Sequence, residues 1–452
     1  MIRRVAAGIG MTTFDKLVVA ATQLALVPIL ATHWGLALYG KWLLLATIPQ
    51  FLSVSDLGFA TAGGTRMTMA AARGDREEAI SIFQSAWRAI LASSGVIICL
   101  LSAAVWLLPA SGFGEALLGS SAELQLTLWL LAIYGVFAVQ GSIFFAGFRA
   151  ANRFATGAFW NAMVLLIENA VLVAVVLSGG GLVGAAAAWL LGRLTGLALQ
   201  MLLLRRMVPW LVIGLRRGSW TQARALLAPA GAVMLLPIAQ ALLLQGTALM
   251  VGAVAGPAAV PIFAATRTLS RVGMQMCWIV STPLMPEFSA AVARDDRNGM
   301  ATMVLVILLF SAGLVLPYAL GFMALGPWII ELWTHGAIAP PVSLVTAMGF
   351  AILFGGVWYP ISNLILACDR QASYTVWYAV LALFSLPAAC LLVEACGVAG
   401  AGYAVAALDF VMLLVIGRLA RDTLASRQEL FAAVPRLQSY LRRLVSGASM
   451  AS

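Results

Sequence analysis

Arg267 and Arg271 are the residues of this 452-residue chain whose type and spacing best suit chemistry. Four positions apart in an apolar stretch, they share one face of a helix and present two cations about 6 Å apart. An ionised group near the middle of a bilayer costs on the order of 3 kcal/mol even on permissive scales, so such a pair must face protein or a wet cavity. Guanidinium stays charged and forks onto phosphate oxygens, which makes the pair a candidate grip for phosphate. The structural alternative is an internal ion pair, with Asp56 as a partner.

Other charges lie in apolar surroundings. Asp56, within Ser55-Asp-Leu-Gly58, could serve substrate coupling or balance an arginine. Glu168, flanked by Asn161 and Asn169, could act in coupling, although hydrogen bonding between helices is the default for such residues. Arg193 and Asp409 occupy equivalent places in the two halves and could pair across them or bond locally, with local structure favoured. Lys41, Asp15, Lys16 and Arg88 lie nearer helix ends, where long side chains snorkel to the interface. Lys41 and the Asp15–Lys16 pair matter if the first two helices border a pathway.

The elements that must position these residues are spanning helices. Hydrophobic residues make up 62% of the chain and charged ones only 10%. Mean hydropathy is +0.99, which marks an all-α polytopic membrane protein. Stretches long enough to cross a ~30 Å core recur about twelve times. The expected spans are 15–33, 39–62, 82–108, 124–148, 154–177 and 182–204, then 229–254, 259–284, 301–325, 342–367, 373–394 and 398–418.

The chain is built twice. Ala70-Ala-Ala-Arg-Gly-Asp-Arg76 returns 221 residues later as Ala291-Val-Ala-Arg-Asp-Asp-Arg297, with five of seven positions identical. Gly181-Leu-Val-Gly-Ala-Ala-Ala-Ala188 returns after 216 residues as Gly397-Val-Ala-Gly-Ala-Gly-Tyr-Ala404. Duplicated apolar chains are characteristic of transporters. Arg267 and Arg271 have Ala46 and Gln50 as repeat mates, so the cationic pair belongs to the second half alone. The expected organisation is a six-helix bundle over 1–204, a basic linker over 205–228, a second bundle over 229–420 and an amphipathic tail over 421–452.

Arginines segregate. Arg3, Arg4, Arg66, Arg73, Arg76, Arg149, Arg153, the group from Arg205 to Arg224, Arg294, Arg297, Arg370 and the tail from Arg418 fall on one side. Six opposite connections, His33–Leu38, Pro109–Ser121, Ser178–Gly181, Ala255–Ala258, Gly326–Pro341 and Glu394–Gly397, hold no Lys or Arg. Basic loops stay in the cytoplasm, so both termini are expected there and the two halves run parallel. The net charge of +10 is spread over these segments and meets membrane lipids rather than nucleic acid.

Five cysteines, Cys99, Cys277, Cys368, Cys390 and Cys396, show no metal-ligand spacing, and only two histidines exist, so no metal or cofactor is expected. Cys390 and Cys396 are near enough in sequence for a disulfide to be weighed. In the tail, Leu430, Phe431, Val434, Leu437, Leu441 and Leu444 recur at steps of three and four beside Arg436, Arg442 and Arg443. That pattern suits an interfacial helix, with a protein partner as the second reading.

Gly35-x-x-x-Tyr39-Gly40-x-Trp42, Ser55-Asp-Leu-Gly58, Ala72-Arg-Gly-Asp75, Gly147-Phe-Arg149 and Gly181-x-x-Gly184 resemble the polysaccharide-export branch of the multidrug/oligosaccharidyl-lipid/polysaccharide (MOP) exporter superfamily, including Wzx-type flippases. The resemblance covers roughly residues 10–420. It implies two six-helix bundles in a V, with helices 1, 2, 7 and 8 lining a cavity that Arg267, Arg271, Asp56, Lys41, Asp15 and Lys16 would surround. It also implies a bacterial inner-membrane protein that flips a polyprenyl-pyrophosphate-linked oligosaccharide by alternating access, alongside other polysaccharide-assembly membrane proteins. The first helix lacks a mid-membrane arginine, which disfavours lipid II, and a central acid, which sets the chain apart from sodium-coupled drug exporters. A small-molecule antiporter is the main alternative. A membrane enzyme is disfavoured, because the outer connections are short and carry only scattered acids (Glu115, Glu123, Glu331, Glu394).

Overall fold

The computed structural model describes residues 2–52, 58–107, 121–294, 296–367, 372–424 and 427–445, and no strand is present among them. In chain order the helices are α1 (Ile2–Leu52), α2 (Phe59–Ala72), α3 (Arg76–Leu107), α4 (Ala122–Ala150), α5 (Phe154–Leu177), α6 (Leu182–Met207), α7 (Trp220–Ala241) and α8 (Thr247–Ala255). There follow α9 (Ala259–Ala293), α10 (Arg297–Phe310), α11 (Leu316–Trp333), α12 (Val342–Ala367), α13 (Ala372–Cys396), α14 (Ala399–Thr423) and α15 (Arg427–Val445). Single π turns, Leu242–Gly246 and Ser311–Val315, join α7 to α8 and α10 to α11. Pro317 lacks the N–H that would close an α turn onto Gly313, which favours widening at the second junction.

The duplication is written in the backbone. Gly35 bends α1 with φ 68° and ψ 170°, and Gly256 ends α8 with φ 84° and ψ 164°, 221 residues later. That region of conformational space is almost closed to other residues. Asp75 Oδ1 accepts from the Glu78 N–H at 2.8 Å, and Asp296 Oδ1 accepts from the Gly299 N–H at 2.9 Å, again at the 221 offset. Each aspartate satisfies an orphan donor at a helix start, which is why both echoed loops end in Asp-Arg.

Ten helices among the described residues are long and apolar enough to span a membrane. The expected spans 15–33 and 39–62 meet at Gly35, where non-helical backbone separates two helices within α1. The first ends at that break; residues 53–57 of the second lie outside the described residues, and α2 starts after Gly58 in a left-handed conformation (φ 76°). The eighth expected span lies in α9, whose described residues include the two arginines.

Two compact units are present, Met1–Pro261 and Ile262–Ser452. In the first, α1 packs on α4, α5 and α8, α4 and α5 pack on α6, and α2, α3 and α7 pack together. Phe83, Ile90, Ile143, Phe144, Phe148 and Leu204 fill its core. Gly40 lies so close to Pro257 that a Cβ would overlap the Pro257 carbonyl. Residues 208–219 of the linker fold back on the start of α3: buried Gln84 donates to Val212 O at 2.9 Å and accepts from Arg217 N–H at 2.6 Å. Ser85 Oγ accepts from Ser219 N–H at 2.8 Å, and Arg88 donates to Leu215 O while its guanidinium lies 6.0 Å from the Trp220 ring centre.

In the second unit α14 packs on α12 and α13, α12 packs on α11, and α15 packs on α10. Cys99, Cys390 and Cys396 are free thiols, so the weighed disulfide is not formed.

Candidate functional site

Arg267 and Arg271 sit one turn apart on α9, and each feels the other's charge. Arg267 is half-buried, with its guanidinium carbon 5.2 Å from the Phe263 ring centre, a cation–π distance. Arg271 is exposed and within electrostatic reach of the Tyr359 and Tyr378 hydroxyls. The turn that carries both is pinned from α11: Tyr318 Oη donates to Leu269 O at 2.8 Å, between the two arginines.

Behind Arg271 stands a polar aromatic cluster on three helices. Tyr378 on α13 interacts with Arg271, Tyr359 and Asp409. Trp358 Nε1 donates to Asp409 Oδ1 at 3.0 Å, and its ring lies 5.5 Å from that of Tyr359 and 5.9 Å from that of Tyr378. Ser362 and Tyr374 share a side-chain hydrogen bond. The arrangement offers two cations and several hydroxyls to an anionic, hydroxyl-rich ligand. Arginines grip phosphate oxygens, while tyrosines exchange hydrogen bonds and give flat surfaces to sugar rings.

The first unit treats its charges differently. Arg193 Nε lies 2.7 Å from Glu168 Oε1, a charge contact not aligned as a hydrogen bond. Arg193 Nη2 donates to Glu168 Oε2 at 2.9 Å and to Tyr134 Oη at 3.0 Å. Tyr134 Oη in turn donates to Glu168 Oε2 at 3.2 Å. The Tyr134 ring stacks on Trp189 at 5.3 Å, Trp189 meets Trp42 at 4.9 Å, and Trp42 meets Trp34 at 5.8 Å. Trp34 Nε1 closes the row on Gly180 O at 3.0 Å. Glu168 is 1% exposed and both its oxygens contact Arg193, so the buried charges meet within this group.

Of the remaining candidates, Lys41 is exposed and Asp15 half-buried. Asp56 and the Lys16 side chain lie outside the described residues. Arg193 and Asp409, equivalent in sequence, each bond within their own unit. Sequence reasoning missed Tyr318, Trp358, Tyr359, Tyr374 and Tyr378. The available signal was the density of tyrosine: four of the chain's eight lie between 318 and 378, all within apolar helices.

The helical arrangement is that of solved MOP transporters. The lipid II flippase MurJ in an inward closed conformation is similar with a TM-score of 0.66 at 14% identity, over 100% of this chain and 94% of that one. An inward-facing multidrug resistance MATE family transporter of the MOP superfamily gives 0.64 at 16%, over 89% and 97%. The Vibrio cholerae MATE transporter VcmN in its bent form gives 0.54 at 14%, over 93% and 99%. No curated protein matches the chain in sequence. Fold and composition together define a multi-pass membrane protein with the fold of these transporters. Residues 44–334 match the family described as polysaccharide biosynthesis protein, and the chain belongs to that family.

Proposed function

We propose that the protein is a flippase that moves a polyprenyl-pyrophosphate-linked oligosaccharide, a repeat unit of a surface polysaccharide, from the cytoplasmic to the outer leaflet of the bacterial inner membrane. Both termini are cytoplasmic in this reading, because basic segments are retained on that side. The observation that carries it is the Arg267–Arg271 pair, backed by Tyr359 and Tyr378, in a polysaccharide biosynthesis protein. The guanidinium groups hold pyrophosphate, the hydroxyl-bearing aromatics face the glycan, and the polyprenyl tail stays in lipid. No bond is made or broken: the protein supplies a polar path for a headgroup that hydrocarbon would reject. Alternating access exposes that path to one leaflet at a time.

Deletion of the gene, with a plasmid copy as control, tests the reading through mass spectrometry of lipid extracts and an assay of surface polysaccharide. Accumulation of complete lipid-linked repeat units with loss of surface glycan is expected. Unchanged pools with altered drug or ion tolerance would instead favour a cation-coupled small-molecule antiporter, the reading that the fold shared with MATE proteins supports. Truncated glycans would point to an enzyme.

A further inference from the structure

The first repeat does not end with its sixth helix. After α6 the chain continues into a strap, residues 208–219, that grips the start of the third helix of the same repeat through Gln84 and Ser85. In the second unit α15 follows the sixth helix, α14, and packs on the start of that repeat's third helix, α10. One residue pair of the two grips corresponds. Offset 216 carries Arg217 to Ala433, and offset 221 carries its partner Gln84 to Leu305, which packs with Ala301, Ala433 and Leu430.

The grips differ in chemistry. Hydrogen bonds hold the first strap, whereas an apolar contact of Ala433, fully buried, and Leu430 with Ala301 and Leu305 docks α15. One flank of α15 remains uncovered: Phe431 is 77% exposed and Val434 38% exposed, three residues apart on one face. Ala301 and Leu305 lie four and eight residues into a helix that starts at Arg297 and continues into an apolar span ending at Trp333. At ~1.5 Å per residue, α15 therefore sits within about 12 Å of that helix's arginine end, the depth at which headgroups meet acyl chains. Gln428, Ala432 and Arg436 on the remaining surface are exposed, and Arg442 and Arg443 follow in sequence.

We propose that α15 is the strap of the second repeat and a lipid anchor at once, docked on α10 through Leu430 and Ala433 and inserting Phe431 and Val434 among the acyl chains of an anionic leaflet. Charge complementarity selects the occupant: Arg436 is exposed on the same helix and Arg442 and Arg443 follow in sequence, a basic composition that suits anionic lipid. The proposal is independent of what the protein carries.

Photo-crosslinking tests it in the full chain in native membranes, with benzoylphenylalanine replacing one residue at a time. Phe431→benzoylphenylalanine is expected to give lipid adducts, detected by intact mass, at least threefold more often than Ala432→benzoylphenylalanine. Leu430→benzoylphenylalanine is expected to link α15 to an α10 peptide. A protein adduct at 431, or no more lipid there than at 432, would overturn the lipid anchor. Absence of the α10 link from 430, with the chain present in the membrane, would overturn the strap.

Discussion

Two arginines on one helix and a third beside a glutamate have opposite fates in this chain, and their partners decide which. Arg193 is consumed by Glu168 and Tyr134 in a closed network. Arg193→Ala would strand a buried carboxylate, at a loss of about 3 kcal/mol, and a lower melting temperature in detergent is expected. Replacing Glu168 as well, by Gln, should recover part of that loss, since no uncompensated charge would remain. Arg267 and Arg271 instead stand beside hydroxyls and an aromatic face. The double change Arg267→Ala with Arg271→Ala should abolish surface polysaccharide while the protein stays inserted, as judged by immunoblot of membranes. Normal polysaccharide in that strain would remove the pair from the mechanism. The arginines were legible because charge in an apolar run is conspicuous. Tyr359, Tyr378 and Trp358 were not, because aromatic residues are ordinary in spanning helices and only the fold brings α12, α13 and α14 together.

At the scale of elements, glycines set where helices turn and how closely they approach. Gly35→Ala meets no neighbouring atom but forces a side chain into a backbone region that costs of order 1–3 kcal/mol, so modest thermal destabilisation is expected. Gly40→Val, which would overlap the Pro257 carbonyl, should reduce the folded protein far more, measured as monodisperse yield on size exclusion. Helix existence was legible from hydropathy, and the Asp75 and Asp296 starts from the echoed loops. Helix ends were partly so: the break between 33 and 39 was legible and Gly35 makes it, whereas α2 runs on to Ala72, past the expected end at 62, because its last turns carry little apolar signal. The strap over 208–219 was also hidden. Its arginines read as a solvated linker, whereas Gln84 and Ser85 satisfy its backbone from α3.

For the whole molecule, the arginine pattern makes a firm expectation: cysteine labelling of Ser111→Cys from outside the cell and of Ser219→Cys only after permeabilisation. The reverse pattern would invert the orientation. Ser111 lies outside the described residues, so this test rests on charge distribution alone. The duplication itself was legible, yet its inequality was not. Among the described residues, the π turns at Leu242–Gly246 and Ser311–Val315 fall only in the second repeat; the matching stretches of the first, 21–25 in α1 and 90–94 in α3, are unbroken α-helix. A π turn holds one residue more than the α turn it replaces, and one residue is about 100° of rotation. Two rods laid along equivalent paths thus come out of phase, and beyond each wide turn they show their surroundings a different set of side chains. A doubled scaffold becomes one-sided in this way without moving a helix.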